Sequence, residues 1–397
     1  MKINLNKIRI NSYIFFLAYS IYLTFNIINY SFFSKYTNDY YNVFIIIPVF
    51  LVMINELTQT KITKKELILF FFIALLVIAI LIKVKGIVLL PLLFLIYGAR
   101  KIEFEKILKI TVIVSSFSMI FVITSMLLKF IPNYISEYNG RIRYYLGFRY
   151  SLIPSIILFN ITLAILYLNR KKINIFLDVL LFGLNFLMYY YTRSRLSFFV
   201  ASIIICIFLF IQIRNKKNKI KKGVFLRILT YIFCLCFIFS FILANRYDSS
   251  KSFCYNLNEK LEGRIELANS AIKSYGVKWF GNNIVFIGDG LDINGEKSTE
   301  KYNYVDNLYI NILIKYGLIF SMVIWFFITL FMKKLYKDNN IFLLIIFCGL
   351  ALRGLVDDLE MYLFFNCFWL CVGNILINLN HTIKRKENET DEEKYWN

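Results

Sequence analysis

Long apolar runs separated by short basic loops dominate this chain. The runs lie near residues 12–32, 41–57, 67–82, 86–99, 107–130, 151–168, 173–191, 196–213, 224–244, 306–332, 340–356 and 359–380. A helix that crosses a bilayer needs about 20 mostly apolar residues, so the pattern predicts about twelve transmembrane helices. The composition agrees, because 59% of the residues are hydrophobic and only 18% are charged. We therefore expect an all-α, polytopic integral membrane protein.

The basic residues indicate how the helices are oriented. Lysine and arginine collect in alternate short loops, for example at 61–65, 214–222 and 333–337, and such loops stay on the cytoplasmic side. This predicts that both termini are cytoplasmic. It also explains the formal charge of +21 by topology, so membrane lipid is an expected partner and nucleic acid is not. Residues 1–380 are expected to form a single transmembrane domain, and 381–397 a disordered, charged cytoplasmic tail.

This orientation places two longer segments outside the cell membrane. They are 131–150 and 245–305, the second between the ninth and tenth runs. Arginines gather on the outer side, among them Arg141, Arg143, Arg149, Arg193, Arg195 and Arg264. The guanidinium group binds phosphate through two parallel hydrogen bonds, so these residues suit the diphosphate of a lipid carrier. The alternative is that each guanidinium only reaches lipid headgroups at the membrane boundary.

The long outer segment is predicted to be partly helical. Five apolar residues recur there at spacings of three and four: Leu257, Leu261, Ile265, Ala268 and Ile272. This is the spacing of one helical face, and Asn256 is available as an N-cap. Such a helix would lie flat on the membrane or cover a cavity in the helical bundle. The glycine- and asparagine-rich sequence after it predicts an irregular lid.

A polar pair, Asp306 and Asn307, stands where the tenth apolar run begins. Asp306 is predicted to cap this helix with its carboxylate, and the spacing puts Tyr309 on the same face. A capping carboxylate is also a positioned one, so a catalytic role stays open beside the structural one. The chain has no metal-ligand spacing, and its only histidine, His381, follows the last run. We therefore expect no metal and no cofactor.

Four short segments resemble one known family in their order and in their expected side of the membrane. They are GRIRYYLGFRYSLIPS (Gly140–Ser155), YYYTRSRLSFF (Tyr189–Phe199), LEGRIELANSAIKSYG (Leu261–Gly276) and VDNLYINILIKYG (Val305–Gly317). Together with about twelve spans and a large outer loop between spans nine and ten, they resemble the Wzy-type O-antigen and capsular polysaccharide polymerases and their O-antigen ligase relatives. The resemblance implies a GT-C-like architecture.

The resemblance also implies an activity. A growing glycan would pass from undecaprenyl diphosphate to a lipid-linked oligosaccharide repeat unit on the outer face of the cytoplasmic membrane, without a metal. Asp306 would be the catalytic base, standing where the ligase relatives place a histidine. The substrate would be bound by Arg195 and Arg264 with Arg193 at the donor diphosphate, by Arg141, Arg143 and Arg149 at acceptor phosphate or anionic sugars, and by Asn307 and Tyr309. A flippase and a chain-length regulator would be possible partners.

Two other functions stay open at this point. One is a polysaccharide transporter or lipid-linked oligosaccharide flippase, which shares the layout of twelve spans with both ends inside. Transporters usually carry internal repeats and ionisable residues near the membrane midplane, whereas this chain gathers its polar residues at the outer boundary. The other is an O-antigen ligase-type transferase. Such a ligase would have the same architecture, and only the aspartate at position 306 in place of a histidine separates this chain from it.

Overall fold

The computed structural model describes residues 5–58, 64–138, 140–217 and 223–374. Within them the α-helices are α1 (Leu5–Asn29), α2 (Ser34–Thr37), α3 (Tyr41–Leu57), α4 (Lys64–Val84), α5 (Leu89–Ala99), α6 (Phe104–Leu127), α7 (Ile153–Leu168), α8 (Ile175–Thr192), α9 (Arg195–Lys217), α10 (Val224–Ile228), α11 (Ile232–Asn245), α12 (Ser252–Lys260), α13 (Arg264–Tyr275), α14 (Leu308–Tyr316), α15 (Leu318–Lys337), α16 (Ile341–Arg353) and α17 (Trp369–Val372). Two strands, β1 (Ile135–Tyr138) and β2 (Arg141–Tyr144), form an antiparallel hairpin. The tail predicted at 381–397, with His381, lies outside the described residues.

Eleven of the twelve predicted runs hold an apolar helix among the described residues. Among the described residues, seven helical segments are long and apolar enough to cross a bilayer: Ser12–Asn29, Ser34–Leu57, Phe104–Leu127, Ile175–Thr192, Arg195–Arg214, Val224–Asn245 and Leu318–Lys337. Four shorter apolar helices accompany them: Phe70–Val84, Leu89–Ala99, Ile153–Leu168 and Ile341–Arg353. The prediction of an all-α polytopic membrane protein is confirmed. The twelfth predicted run, 359–380, holds a 3₁₀ turn and the short helix α17 in its described part.

Helix α7 lies at the centre of the bundle. Nearly all of its side chains are buried, because α6, α8 and α9 pack around it. Pro154 stands in its first turn, where the missing N–H costs no helical hydrogen bond. Polar links cross this apolar core: the Asn160 side-chain oxygen accepts from the Cys367 N–H at 3.1 Å, and the Asn185 amide donates to Thr162 at 2.8 Å. Such interhelical hydrogen bonds hold α7 against its neighbours.

The predicted tenth helix, 306–332, is broken at Gly317. The residue has φ 92°, and a Cβ added there would collide with the backbone of residues 279–281, which crosses at this point. After the break α15 runs back beside α14. The evidence is that the rings of Tyr309 and Trp325, each eight residues from Gly317, lie only 5.0 Å apart. The prediction of one continuous helix is wrong here. Both helices are equally apolar, and only a backbone conformation that glycine adopts freely allows the reversal.

The fold-back sinks the start of α14 into the bundle. Helix α15 has 20 residues, which at 1.5 Å each span roughly 30 Å, the thickness of a bilayer's hydrocarbon core. Gly317 therefore lies at the membrane boundary, at the end of the bundle that carries residues 246–307, called the loop end below. Trp325, beside Tyr309, is roughly 10 Å deeper along α15. In addition, the Asn307 amide donates to Ser240 (3.1 Å), a turn inside the end of α11.

The segment between α11 and α14 is partly helical, with a break. Helices α12 and α13 are separated at Glu262 and Gly263, both with positive φ. Asn258, not the predicted Asn256, acts as a cap: its side-chain oxygen accepts from the N–H groups of Ile265 and Glu266, each at 3.1 Å. Asn256 lies within α12. After α13, residues 276–282 cross the α14–α15 break and are called the strap.

A buried ion cluster supports the loop after α16. The Arg353 Nη2 atom lies 2.6 Å from Asp357 Oδ2, and Nη1 lies 3.4 Å from Glu360 Oε1. All three side chains are buried. An isolated buried charge is very unfavourable in the bilayer core, so the cluster ties the loop to the end of α16. Residues 356–359 of this loop reach the cavity described next.

Candidate functional site

A cavity of about 860 Å³ opens at the loop end of the bundle. Its wall is formed by the β-hairpin, the start of α7, the α8–α9 turn, the start of α13, and the segments 288–291, 302–306 and 356–359. The charged side chains on the wall are Arg141, Arg143, Arg149, Arg193, Arg195, Lys260, Glu262, Arg264, Asp289, Asp306, Asp357 and Asp358. The structure thus brings together seven of the predicted site residues, the six arginines and Asp306, which are distant in sequence.

Asp306 is positioned by a tyrosine and an arginine. The Tyr302 hydroxyl donates to Asp306 Oδ2 at 2.6 Å, and Arg264 Nε lies 4.0 Å from the same oxygen. The side chain keeps 25% exposure. Burial raises the pKa of Asp306 to about 6, although the Tyr302 hydrogen bond and the Arg264 charge act to lower it, and Asp357 and Asp289 add to the rise. The carboxylate is therefore ionised at neutral pH and is a stronger base than an exposed aspartate.

Arg264 is the cation closest to Asp306 on this wall. It begins α13 directly after Gly263, and its guanidinium donates to the Leu261 carbonyl at 3.1 Å and to Glu262 at 3.3 Å. Burial acts to lower the pKa of Arg264, but the negative charges of Asp306 and Glu262 outweigh it, and the pKa is raised. A fixed positive charge therefore stands beside the base.

Two further arginines flank the turn between α8 and α9. Arg193 ends α8 in the left-handed region, with φ 56° and its N–H bonded to the Tyr189 carbonyl at 2.8 Å. Arg195 begins α9. The turn is fixed to α7, because the hydroxyls of Thr192 and Ser155 lie 2.6 Å apart. A non-glycine residue held at positive φ is uncommon and occurs often at functional sites, and here it directs two cations to one wall.

The β-hairpin carries Arg141 and Arg143 to the same cavity. Residues two apart in a strand share a face, and both line the wall. The Tyr144 ring packs edge-on against Tyr191 of α8, with 5.8 Å between the centroids. This contact joins the hairpin to the α8–α9 pair. The hairpin is the one feature of this wall that the expectation of an all-helical chain did not include.

Arg149 holds the cavity wall together. Its Nη1 atom donates to the Leu291 carbonyl at 3.2 Å and its Nη2 atom to the Asn29 carbonyl at 3.1 Å. Its own carbonyl accepts from the Leu291 N–H at 2.8 Å. Arg149 therefore links the end of α1 to the segment 288–291. Each guanidinium NH₂ group gives one of its two N–H donors to a carbonyl, and Arg149 also lines the cavity, so its role in anion binding stays a prediction.

Asn307 and Tyr309 do not reach the cavity wall. Asn307, rather than Asp306, is the N-cap of α14, accepting from the N–H groups of Tyr309 and Ile310. The predicted cap is thus wrong by one residue, because Asp306 turns toward Tyr302 and Arg264. Tyr309 is 0% exposed, and its hydroxyl donates to the Ala351 carbonyl at 2.7 Å. The shared face predicted for Asp306 and Tyr309 fails, because Asp306 precedes the helix.

Asp358 is a second carboxylate of the wall with its own tyrosine, a pairing that the sequence did not predict. The Tyr304 hydroxyl donates to Asp358 Oδ2 at 2.8 Å, and the Asn311 amide donates to the same oxygen at 3.0 Å. Burial raises the pKa of Asp358 well above its usual value, and the charges of Asp306 and Asp357 add to this. Tyr302, Tyr304 and Asp306 stand two residues apart along an extended segment. This spacing was a usable sequence signal for the contact between Tyr302 and Asp306. No local pattern connects Tyr304 with Asp358.

The donor atoms of the cavity are those of an anion site. Within residues 5–58, 64–138, 140–217 and 223–374, no group of three or more His, Cys, Asp or Glu side chains is arranged to hold a metal ion. Guanidinium groups instead share the cavity wall with the carboxylate of Asp306. The arrangement can bind a polyanion and take a proton from a group held next to it.

Residues 179–324 match the protein-family model Wzy_C, described as O-antigen ligase. The predicted resemblance is confirmed over this segment, which contains three of the four sequence segments that carry it. The match includes Arg193, Arg195, Arg264 and Asp306, and members of this family are glycosyltransferase-like enzymes, polymerases or ligases, of polysaccharide assembly. No curated protein and no solved structure matches the chain. The chain is a multi-pass membrane protein with an O-antigen ligase-like segment.

Proposed function

We propose that the protein is a polysaccharide polymerase. It transfers a growing glycan from undecaprenyl diphosphate to the terminal sugar of a lipid-linked oligosaccharide repeat unit. The loop end of the bundle faces the outside of the cytoplasmic membrane, and both termini lie in the cytoplasm. The observation that supports this proposal is the position of Asp306: a half-buried carboxylate with a pKa of about 6 in a cavity whose wall carries six arginines.

The chemistry is a displacement at the anomeric carbon of the donor glycan. The acceptor hydroxyl oxygen forms the new bond to this carbon while the bond between the carbon and the diphosphate oxygen breaks. The hydroxyl proton passes to Asp306, and the electron pair leaves with the undecaprenyl diphosphate. Positioned cations stabilise the charge that develops on the leaving diphosphate, a contribution that can exceed that of the base.

The cations divide between the two substrates. Arg264 and Arg195, with Arg193, hold the donor diphosphate, because Arg264 adjoins Asp306 and the other two lie on the α8–α9 turn of the same cavity. Arg141 and Arg143 bind acceptor phosphate or anionic sugars from the hairpin. Arg149 supports this wall through its carbonyl contacts. Tyr302 orients Asp306 toward the cavity.

The site supports a polymerase over the other readings. An aspartate stands at position 306 where O-antigen ligases carry a histidine, which argues against attachment to a lipid core. A transporter or flippase needs no base beside the bound sugar. A flippase would supply the repeat units to this protein, and a chain-length regulator is a further expected partner in the same membrane.

The test uses purified protein in liposomes with one undecaprenyl-diphosphate-linked repeat unit and no nucleotide sugar. We expect a ladder of longer products on gel electrophoresis. Arg195→Gln should abolish the ladder, whereas Arg246→Gln, which changes an arginine that does not line the cavity, should keep it. A ligase would give no ladder without a second acceptor, and a flippase would form no glycosidic bond; either result refutes the proposal.

The orientation has its own test. A cysteine placed at the exposed Thr299 should react with a membrane-impermeant maleimide added to intact cells. Reaction only after the cells are opened would place the loop end in the cytoplasm and overturn the proposed direction of synthesis.

A further inference from the structure

The strap carries large apolar side chains on its surface. Trp279 is 66% exposed, and Phe280 and Val277 are also exposed. Lys278, between them, is exposed as well. Soluble surfaces tolerate single exposed apolar residues, but here three exposed apolar side chains lie within four residues, with one lysine among them.

The backbone of the strap is fixed at both sides. The Asn282 N–H donates to the Lys315 carbonyl at 3.1 Å, and its side-chain amide donates to the carbonyls of Ile314 at 2.9 Å and Gly276 at 3.2 Å. A Cβ at Gly281 would collide with the Lys315 carbonyl. The apolar side chains are therefore held outside by a rigid backbone and do not belong to a freely moving loop.

The same backbone places the strap at the membrane boundary. The Leu318 N–H donates to the Lys278 carbonyl at 2.9 Å, and the Ile319 N–H donates to the Trp279 carbonyl at 3.2 Å. Leu318 and Ile319 are the first residues of α15, a helix that is long and apolar enough to cross the membrane. The strap thus satisfies free N–H groups at the start of a span, and the exposed Trp279 lies beside the first residues of that span.

We infer that the strap is a membrane-surface anchor, with Trp279 and Phe280 inserted at the headgroup level of the adjacent leaflet and Lys278 at lipid phosphate. Tryptophan prefers this level because its ring is apolar and its N–H is polar, and lysine is favoured beside anionic headgroups. The occupant of this surface is the lipid bilayer that surrounds α15, not a partner protein.

The anchor has a consequence for the cavity. The strap follows α13, which begins at Arg264 and has 12 residues, so the strap and Arg264 stand at opposite ends of one helix roughly 18 Å long. Lipid contact at one end therefore restrains the helix that carries a cavity arginine at the other. The inference does not depend on the reaction that the cavity performs or on which leaflet the loop end faces.

Tryptophan fluorescence in proteoliposomes tests the anchor. The emission of Trp279 is obtained as the difference between the wild-type protein and Trp279→Phe, which removes the contribution of the other tryptophans. We expect this emission to be quenched most by lipids brominated near the headgroup, less by lipids brominated near the chain end, and little by aqueous iodide. As a control, Thr299→Trp in the Trp279→Phe background places a tryptophan in a polar, exposed run and should show strong iodide quenching and little bromine quenching.

Two results would overturn the inference. One is a difference emission that iodide quenches and brominated lipids do not, which would place Trp279 in water. The other is emission shielded from both quenchers, which would show that protein covers the strap. If Trp279→Phe alters the fold, Trp279→Tyr replaces it, because tyrosine also prefers the membrane interface. The difference between the wild-type emission and that of Trp279→Tyr then gives the emission of Trp279, and its quenching by brominated lipids is measured in the same way.

Discussion

Asp306→Asn should separate activity from stability. Asparagine has nearly the same shape but cannot accept a proton at neutral pH, so chain growth should stop while the protein stays folded in the membrane. The same substitution also removes a carboxylate that the fold buries at a cost. The pKa of Asp306 is about 6 in the folded protein, compared with its usual 3.8. The variant is therefore expected to be inactive and more stable at pH 7.

The size of the stability effect follows from the two pKa values. Because the folded-state pKa is the higher one, the stability linked to this group is complete below pH 3.8 and is lost as the pH rises through 6. The total loss is about 3 kcal/mol, with roughly 2 kcal/mol of it between pH 4 and pH 7. Asparagine has no such loss, so the variant should gain this amount relative to the wild type over that range.

The assay compares thermal or denaturant unfolding of both proteins in detergent at pH 4 and pH 7. Taking the difference between the two pH values cancels effects of the substitution that do not depend on pH. Asp289→Asn is a matched control, since it removes another carboxylate of the cavity wall and should leave chain growth in place. Retained polymer synthesis by Asp306→Asn would refute the catalytic role. A stability difference between Asp306→Asn and the wild type that is the same at pH 4 and pH 7 would refute the raised pKa of Asp306.

The remaining predictions concern the surroundings of Asp306 and the fold that supports it. Wild-type activity should rise about tenfold from pH 5 to pH 7, as the ionised fraction of Asp306 rises from about 9% to about 91%; a flat pH profile would contradict this. Tyr302→Phe removes a hydrogen bond that lowers the pKa of Asp306, so the acid limb should move to higher pH, whereas a purely structural role would lower activity equally at every pH. Arg353→Met leaves the carboxylates of Asp357 and Glu360 without their cation in the bundle and should lower the free energy of unfolding by about 3–5 kcal/mol. Unchanged stability would show that the fold does not depend on this ion cluster. Gly317→Ala forces a side chain into φ 92° against the strap and should lower stability by about 1–3 kcal/mol, while alanine at the exposed Thr299 should have no effect.

Several elements were predictable because their causes are local. An apolar run of about 20 residues must bury its backbone polar groups in a helix when it lies in lipid, so composition was enough to predict most of the spans, but not the break at Gly317 or the irregular 359–374 segment. The short basic loops between them are equally local. The arginines of the α8–α9 turn and Asp306 could be selected as site candidates because charged side chains at the edge of an apolar run stand out in any reading of the chain.

Other features depend on contacts between distant residues. Asp306 was placed as a helix cap, but Tyr302 and Arg264 hold it away from the helix and leave the cap to Asn307. Tyr309 shares the expected spacing, yet the packing of Trp325 and the Ala351 carbonyl around it buries its ring. In both cases the local pattern was compatible with two arrangements, and contacts with distant residues selected one of them.

The sequence by itself determined the class of this protein: an apolar helical bundle with basic loops and a set of arginines and one aspartate near its boundary. Only the tertiary structure decided that these groups share one cavity, that Arg149 donates to the carbonyls of Asn29 and Leu291, and that the chain reverses at Gly317. The physical reason is the separation in sequence between the residues that interact. Burial in lipid acts on every residue separately and can be read along the chain, whereas the pKa of Asp306 and the reversal at Gly317 arise from groups that the fold brings from distant parts of the sequence.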